Sequence, residues 1–273
     1  MKKLLAAVCL ILILCIGMAK GDIIGPTGIV LKYINDPGFT GYMSKYETTN
    51  AQYCQFLNAA KASGDITVSD NDVIGTSGDF VDHLYYNLAG SGWDSDGSTS
   101  GGAARINYIN GAFSTDIGFE NHPVTYVSWY GATSFCNYYG YRLPTKLEWQ
   151  AVADFDGTYN YGCGIDINND IANYAGSLHP DGTTVVGAFG TYGYGMADMA
   201  GNVWEWTSTI SDSSNIRGGC FDLNDNYCTV SYNTAPLSGP DHANYTIGFR
   251  VVPEPAMILL LTLGGLVLRK KHR

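Results

Sequence analysis

The side chains that could do chemistry fall into two sets, a group of cysteines and a pair of carboxylates beside an aromatic turn. Cys54, Cys136, Cys163, Cys220 and Cys228 lie in the body of the chain, whereas Cys9 and Cys15 sit in an apolar N-terminal run. Five is an odd number, so at least one body thiol stays free or pairs outside the chain. Cys220 and Cys228 could close a short loop as a disulfide. The five histidines (His83, His122, His179, His242, His272) show no metal-ligand spacing, and no nucleophile motif supports a Ser-His-Asp hydrolase. The carboxylates Asp198 and Glu205 belong to the run Gly195–Thr207, GMADMAGNVWEWT. On residue types alone this run reads as a buried aromatic strand entered through a Gly201-Asn202 turn. Glu205 would then be a buried carboxylate paired with an arginine such as Arg142 or Arg250.

Three helices and a set of short strands must position these groups. Residues 28–46 read as one or two strands leading into a helix from about Asn50 to Ala62, with Thr49 or Asn50 as N-cap. Tyr53, Phe56 and Leu57 fall at i, i+3 and i+4, a stripe that faces a core. Residues 63–121 are rich in Gly, Ser, Asp and Tyr with little periodicity and read as a loop insertion. Within them Asp94-Ser95-Asp96-Gly97 hints at a calcium loop but lacks the spacing of an EF-hand, so an ordinary turn is the expectation. A second helix is predicted from Ser128 to Tyr139, closed by Gly140. A third follows Pro144, with Thr145 as N-cap and Glu148 completing a capping box. After Ala153 the pattern is short strands and long loops.

The two ends differ from the body. Lys2 and Lys3, the apolar run Leu4 to Met18 and small residues near Ala19 and Gly21 make residues 1–21 a secretory signal. At the other end Pro253-Glu254-Pro255 precedes an apolar run to Leu268 and a basic tail, Arg269 to Arg273. Thirteen helical residues rise only ~20 Å, short of a ~30 Å hydrocarbon core. Residues 22–252 carry eight basic against twenty-four acidic side chains, near −16, compared with −10 for the whole chain. Such a surface repels phosphate backbones, which argues against nucleic-acid binding.

Five blocks in order resemble one known family, the formylglycine-generating enzymes or sulfatase-modifying-factor domains. Tyr46 to Leu57 is similar to its E-V-T-N opening, and His122 to Trp129 with Tyr141 to Trp149 is similar to its PVxxVSW…GxRLPTExEWE block. Gly195–Thr207 resembles its GNVWEW signature. Arg217-Gly218-Gly219 and Ile247-Gly248-Phe249-Arg250 resemble its RGGS and LGFR closing motifs. The resemblance spans roughly residues 40–252 and implies an α+β, C-type-lectin-like fold with low regular secondary structure and long loops. The C-terminal segment resembles a PEP-CTERM sorting signal, and Gly118 to Val124 resembles the end of an insertion found in surface-sorted members. This implies export, an exosortase-type partner, and membrane contact only through residues 253–273.

What the resemblance implies for chemistry is mixed. Members that make formylglycine oxidise a sulfatase cysteine with molecular oxygen, using two cysteines spaced C-x4-C that bind copper(I). Here Cys228 matches the second of them and Leu223 stands where the first should be, while Cys220 replaces the serine of RGGS. Catalytic roles therefore rest on Cys228 and Cys220 as an altered pair, against the expectation of a disulfide or inert thiols. The resemblance also implies a calcium site of Asp198, the carbonyls of Gly201 and Val203, and Glu205, with a second at Asn173, Tyr174 and Asp181. The expected function is a calcium-stabilised binding or structural module, with glycan or protein as ligand. The alternative is an oxidase with an altered copper site.

Overall fold

The computed structural model describes residues 21–90, 103–175, 182–208, 215–232, 234 and 239–261. The first sheet has the order β1 (Ile23–Ile24), β2 (Val30–Asp36), β3 (Phe39–Ser44), antiparallel throughout and in register from Leu31 opposite Ser44 to Asp36 opposite Phe39. Its β2–β3 turn is set by Asp36, whose Oδ1 accepts the Gly38 N–H at 2.7 Å.

Helix α1 (Asn50–Ser63) begins at a complete capping box. Thr49 Oγ1 accepts the Gln52 N–H at 3.3 Å and Gln52 Oε1 accepts the Thr49 N–H at 2.9 Å. It ends at Gly64, whose φ of +82° is the left-handed conformation glycine adopts freely. Helix α2 (Trp129–Tyr139) is capped by Ser128 and closed by Gly140, and α3 (Lys146–Ala153) by a Thr145–Glu148 capping box. The predicted stripe of α1 is buried, and its rings meet those of α2. Tyr53 and Phe56 lie 5.9 and 5.7 Å from Phe135 (ring centroids), and Phe135 is 5.4 Å from Phe249.

The region from Ser63 to Asn121 departs from the expected loop. It contains an antiparallel sheet of β4 (Ile66–Ser69), β5 (Asp72–Gly75) and β6 (Leu84–Asn87), and a hairpin of β7 (Ile106–Ile109) and β8 (Ala112–Thr115). Each of these strands has four residues, too few for alternation to show between the Gly, Asp and Asn turns. Asp94 to Gly97 lie outside the described residues.

The second half is mostly irregular. After β9 (Tyr141–Arg142) and α3, the strand β10 (Trp204–Trp206) is central, antiparallel to β11 (Ile216–Arg217) and parallel to β12 (Ile247–Gly248). Strand β13 (Val252–Pro253) pairs with β9 and straddles the expected end of the domain; residues 255–261 are helical, and Met257 is buried. Residues 1–20 and 262–273, most of the two expected sorting segments, lie outside the described residues. No helix among the described residues is long and apolar enough to cross a membrane.

Candidate functional site

The GNVWEW turn forms the centre of the molecule. Gly201 has φ +76° and Asn202 φ +62°. A Cβ on Gly201 would lie 2.1 Å from the Asn173 carbonyl oxygen, so only glycine fits. That carbonyl instead accepts the Asn202 N–H at 2.7 Å. Around the turn three indoles donate to fixed acceptors: Trp206 Nε1 to Val127 O at 3.0 Å, Trp129 Nε1 to Thr207 O at 2.9 Å, and Trp149 Nε1 to Glu205 Oε2 at 2.7 Å.

Glu205 is the anion of a fully enclosed knot. Arg250 Nε and Nη2 each donate to one of its carboxylate oxygens at 2.6 Å, and neither side chain has any exposure. The rest of the guanidinium donates to main-chain oxygens of Ser44 and Lys45 on one side and Ala197 and Asp198 on the other, at 3.0 to 3.3 Å. A planar cation thus ties the end of β3, the Asp198 turn and β10 together. Of the two arginines open to Glu205 on sequence, Arg142 makes a bidentate pair with Glu148 instead, both contacts 2.6 Å.

Two further carboxyls adjoin the knot. Glu47 accepts from Asn202 Nδ2 at 2.7 Å and from the Val203 N–H at 3.2 Å. Burial, then the charges of Asp198 and Glu205, push it well above the usual carboxylate range. Asp198 Oδ2 accepts the Gly187 N–H at 2.6 Å, and burial raises its carboxyl to about 6 despite that bond and Arg250. Glu47 lies in the Tyr46–Leu57 block, where residue type and spacing give it no role. Its signal was the acid beside Thr48-Thr49-Asn50, with nothing to say that the partner lay at Asn202.

Of the implied calcium ligands, Glu205 is already engaged. Both Glu205 oxygens are held by Arg250 and Trp149, and a guanidinium already supplies the positive charge. Asn173 is buried, donating to Gly182 O at 3.0 Å and Asn202 Oδ1 at 3.3 Å, while Tyr174 is partly exposed and Asp181 lies outside the described residues. Among the described residues, no three His, Cys, Asp or Glu side chains come together to hold a metal ion.

The thiol loop is built differently. Gly218 (φ +100°) and Gly219 (φ +77°) turn the chain after β11 into Cys220, and a short 3-10 helix, Asp225–Cys228, ends the loop. Cys220 and Cys228 are both buried, and all five body cysteines are free thiols. Cys228 packs with Cys163, Ala172 and Ala200. A Cβ on Gly219 would come within 2.5 Å of its sulfur. Burial pushes the Cys220 thiol up to about 12 and the Cys228 thiol higher still, the nearby Cys220 and Cys163 adding to the second. Leu223 is partly buried against the main core. A leucine and thiols held in their protonated form do not fit a two-thiolate copper(I) site.

A family model described as "Sulfatase-modifying factor enzyme 1-like domain" matches residues 34–255. The chain belongs to this family. The mouse formylglycine-generating enzyme is 27% identical to this sulfatase-modifying-factor chain over 262 residues, covering 78% of the chain and 66% of the enzyme. The formylglycine-generating enzyme of Streptomyces coelicolor is 30% identical over 251 residues, covering 77% of the chain and 76% of that enzyme. The chain thus spans about two thirds of the length of the mouse enzyme. Among solved structures CarF is similar, with TM-score 0.51 at 18% identity over 85% of this chain and 96% of CarF. That likeness supports the α+β fold expected from the motifs.

Proposed function

We propose that this chain is an exported sulfatase-modifying-factor domain that lacks copper oxidase chemistry and works as a binding module on the cell surface. The observation that carries this reading is Leu223. It occupies the first thiolate position and packs against the core, while the remaining candidates, Cys220 and Cys228, are buried protonated thiols. A nucleophilic or metal-binding cysteine needs a thiolate, and burial in apolar surroundings disfavours one. The fold itself is kept, because the GNVWEW turn and the Arg250–Glu205 pair are architectural. Export through the N-terminal signal, and sorting through the C-terminal segment by exosortase-type machinery, belong to the same proposal.

Copper(I) titration of the reduced chain, with Cys228→Ser as control, tests it. No tight binding, and no oxidation of a cysteine peptide in the presence of copper and oxygen, is the expected result. One-to-one binding abolished by Cys228→Ser would overturn the proposal in favour of an oxidase using Cys228 and Cys220.

A further inference from the structure

A pocket of about 300 Å³ opens between the start of β2, the end of β3 and the first turns of α1. None of the cysteines lines it, and neither do Asp198 and Glu205. Its size lies at the lower end of small-molecule sites, roughly 300–1,000 Å³. One wall is aliphatic, formed by Ile29, Val30 and Val186. Tyr46, Gln55 and Asn121 line the same space, and their side chains make no hydrogen bond to the described residues.

The charge pattern selects among ligands. Among the described residues of the lining there is no Lys, Arg or His, so none of them would hold an anion. The one acid, Glu47, has Oε1 on the Val203 N–H and Oε2 on the Asn202 amide, an inward arrangement that does not offer an ion-pair partner. A peptide strand cannot add here either. Val30 lies in the central strand of its sheet, paired with Ile24 on one side and accepting the Lys45 N–H at 2.8 Å on the other. What remains is a compact neutral molecule rich in groups that both donate and accept. Side-chain amides offer a carbonyl acceptor and two N–H donors, which match neighbouring hydroxyls, and the aliphatic wall suits a C–H face.

We propose that this pocket binds a single neutral saccharide ring, its hydroxyls held by Gln55, Asn121 and Tyr46. The inference rests on the binding-module reading above but fails separately from it, since the copper titration does not involve these residues. The test is saturation-transfer NMR on the full chain, with free D-glucose, D-galactose and N-acetyl-D-glucosamine as probes. At least one should bind with a Kd of about a millimolar, as expected for one ring with few contacts. Its affinity should stay unchanged between low and high salt, because no ion pair is involved.

Gln55 and Asn121 are exposed, so their alanine variants should fold normally, which a thermal melt checks. Each should weaken binding roughly tenfold, the loss of a hydrogen bond or two. Ala51→Leu, which puts a larger side chain on the pocket wall, should abolish it. Failure of all three sugars to bind would overturn the proposal, as would affinity unmoved by the three variants or lost on adding salt.

Discussion

The Arg250–Glu205 knot and the Cys220–Cys228 loop both follow motifs shared with the family, yet they are built on opposite principles. In the knot every polar atom of the ion pair has a partner, and the charge is neutralised by geometry that spans three separated segments. In the loop the groups with chemical potential are buried among alanines, other thiols and a leucine, held in their uncharged form. The difference separates what a fold needs from what a reaction needs. A buried carboxylate can be retained because removing it would strand an arginine, whereas a catalytic thiolate can be lost without disturbing the core.

The largest effect should come from breaking the knot. Glu205→Gln leaves the Arg250 guanidinium enclosed without its anion, and such losses cost about 3–5 kcal/mol. The urea midpoint should fall accordingly, and excess calcium chelator should leave the midpoint of the unaltered chain where it was. A drop of less than about 1 kcal/mol would mean that Arg250 is satisfied otherwise, and a chelator effect would restore calcium to this turn.

Asp198→Asn sharpens the same side of the comparison by acting in the other direction. The Asp198 carboxyl is raised to about 6 in the fold, against ~3.9 for an ordinary aspartate. Below about pH 4 both folded and unfolded chains hold that proton. As pH rises towards 6 and beyond, the unfolded chain has already released it and the folded chain resists, so this group's contribution to stability is lost. Asparagine removes the titration and can still accept the Gly187 N–H. It also tolerates the φ of +56° found at this position. The variant should be more stable than the parent at pH 7, by on the order of 1–3 kcal/mol, with the gain vanishing at pH 4. Equal stability of the two at both pH values would place the Asp198 carboxylate in a solvated setting.

On the loop side, Cys228→Ser puts a hydroxyl among Cys163, Ala172 and Ala200. A buried hydroxyl that is poorly paired costs about 1–3 kcal/mol, which thermal unfolding would register. No loss would mean the sulfur is accessible to water and closer to a working thiol than its burial indicates.

Much of this architecture is readable from the residues. The caps at Thr49, Ser128 and Thr145 are local hydrogen-bond chemistry, and the first two helices end where glycines at 64 and 140 take positive φ. The apolar stripe of Tyr53, Phe56 and Leu57 is equally local. The β4–β8 strands were hidden because four-residue strands between turn residues leave no periodic trace. In the site, arginine pairing of Glu205 could be foreseen, but the choice of Arg250 over Arg142 depends on Glu148 taking Arg142 first, a competition settled only in three dimensions. Glu47 was invisible as a site residue for the same reason, since its partners Asn202 and Val203 lie in the second half of the chain.

The smallest stability change and the sharpest chemical one should come together at Leu223→Cys. The position is only partly buried, so trading a leucine for the smaller cysteine should cost about 1 kcal/mol or less. The substitution places a second sulfur five residues before Cys228, the C-x4-C spacing that the family resemblance associates with copper(I). Soft thiolates select that ion, and binding releases their protons. If the loop has lost only a ligand, the variant should take up copper(I) one-to-one where the parent does not, with a proton release measurable by titration. If burial of Cys228 among Cys163, Ala172 and Ala200 is itself the barrier, the variant will stay copper-free. The loop would then have been rebuilt as core, rather than left as a site missing one residue.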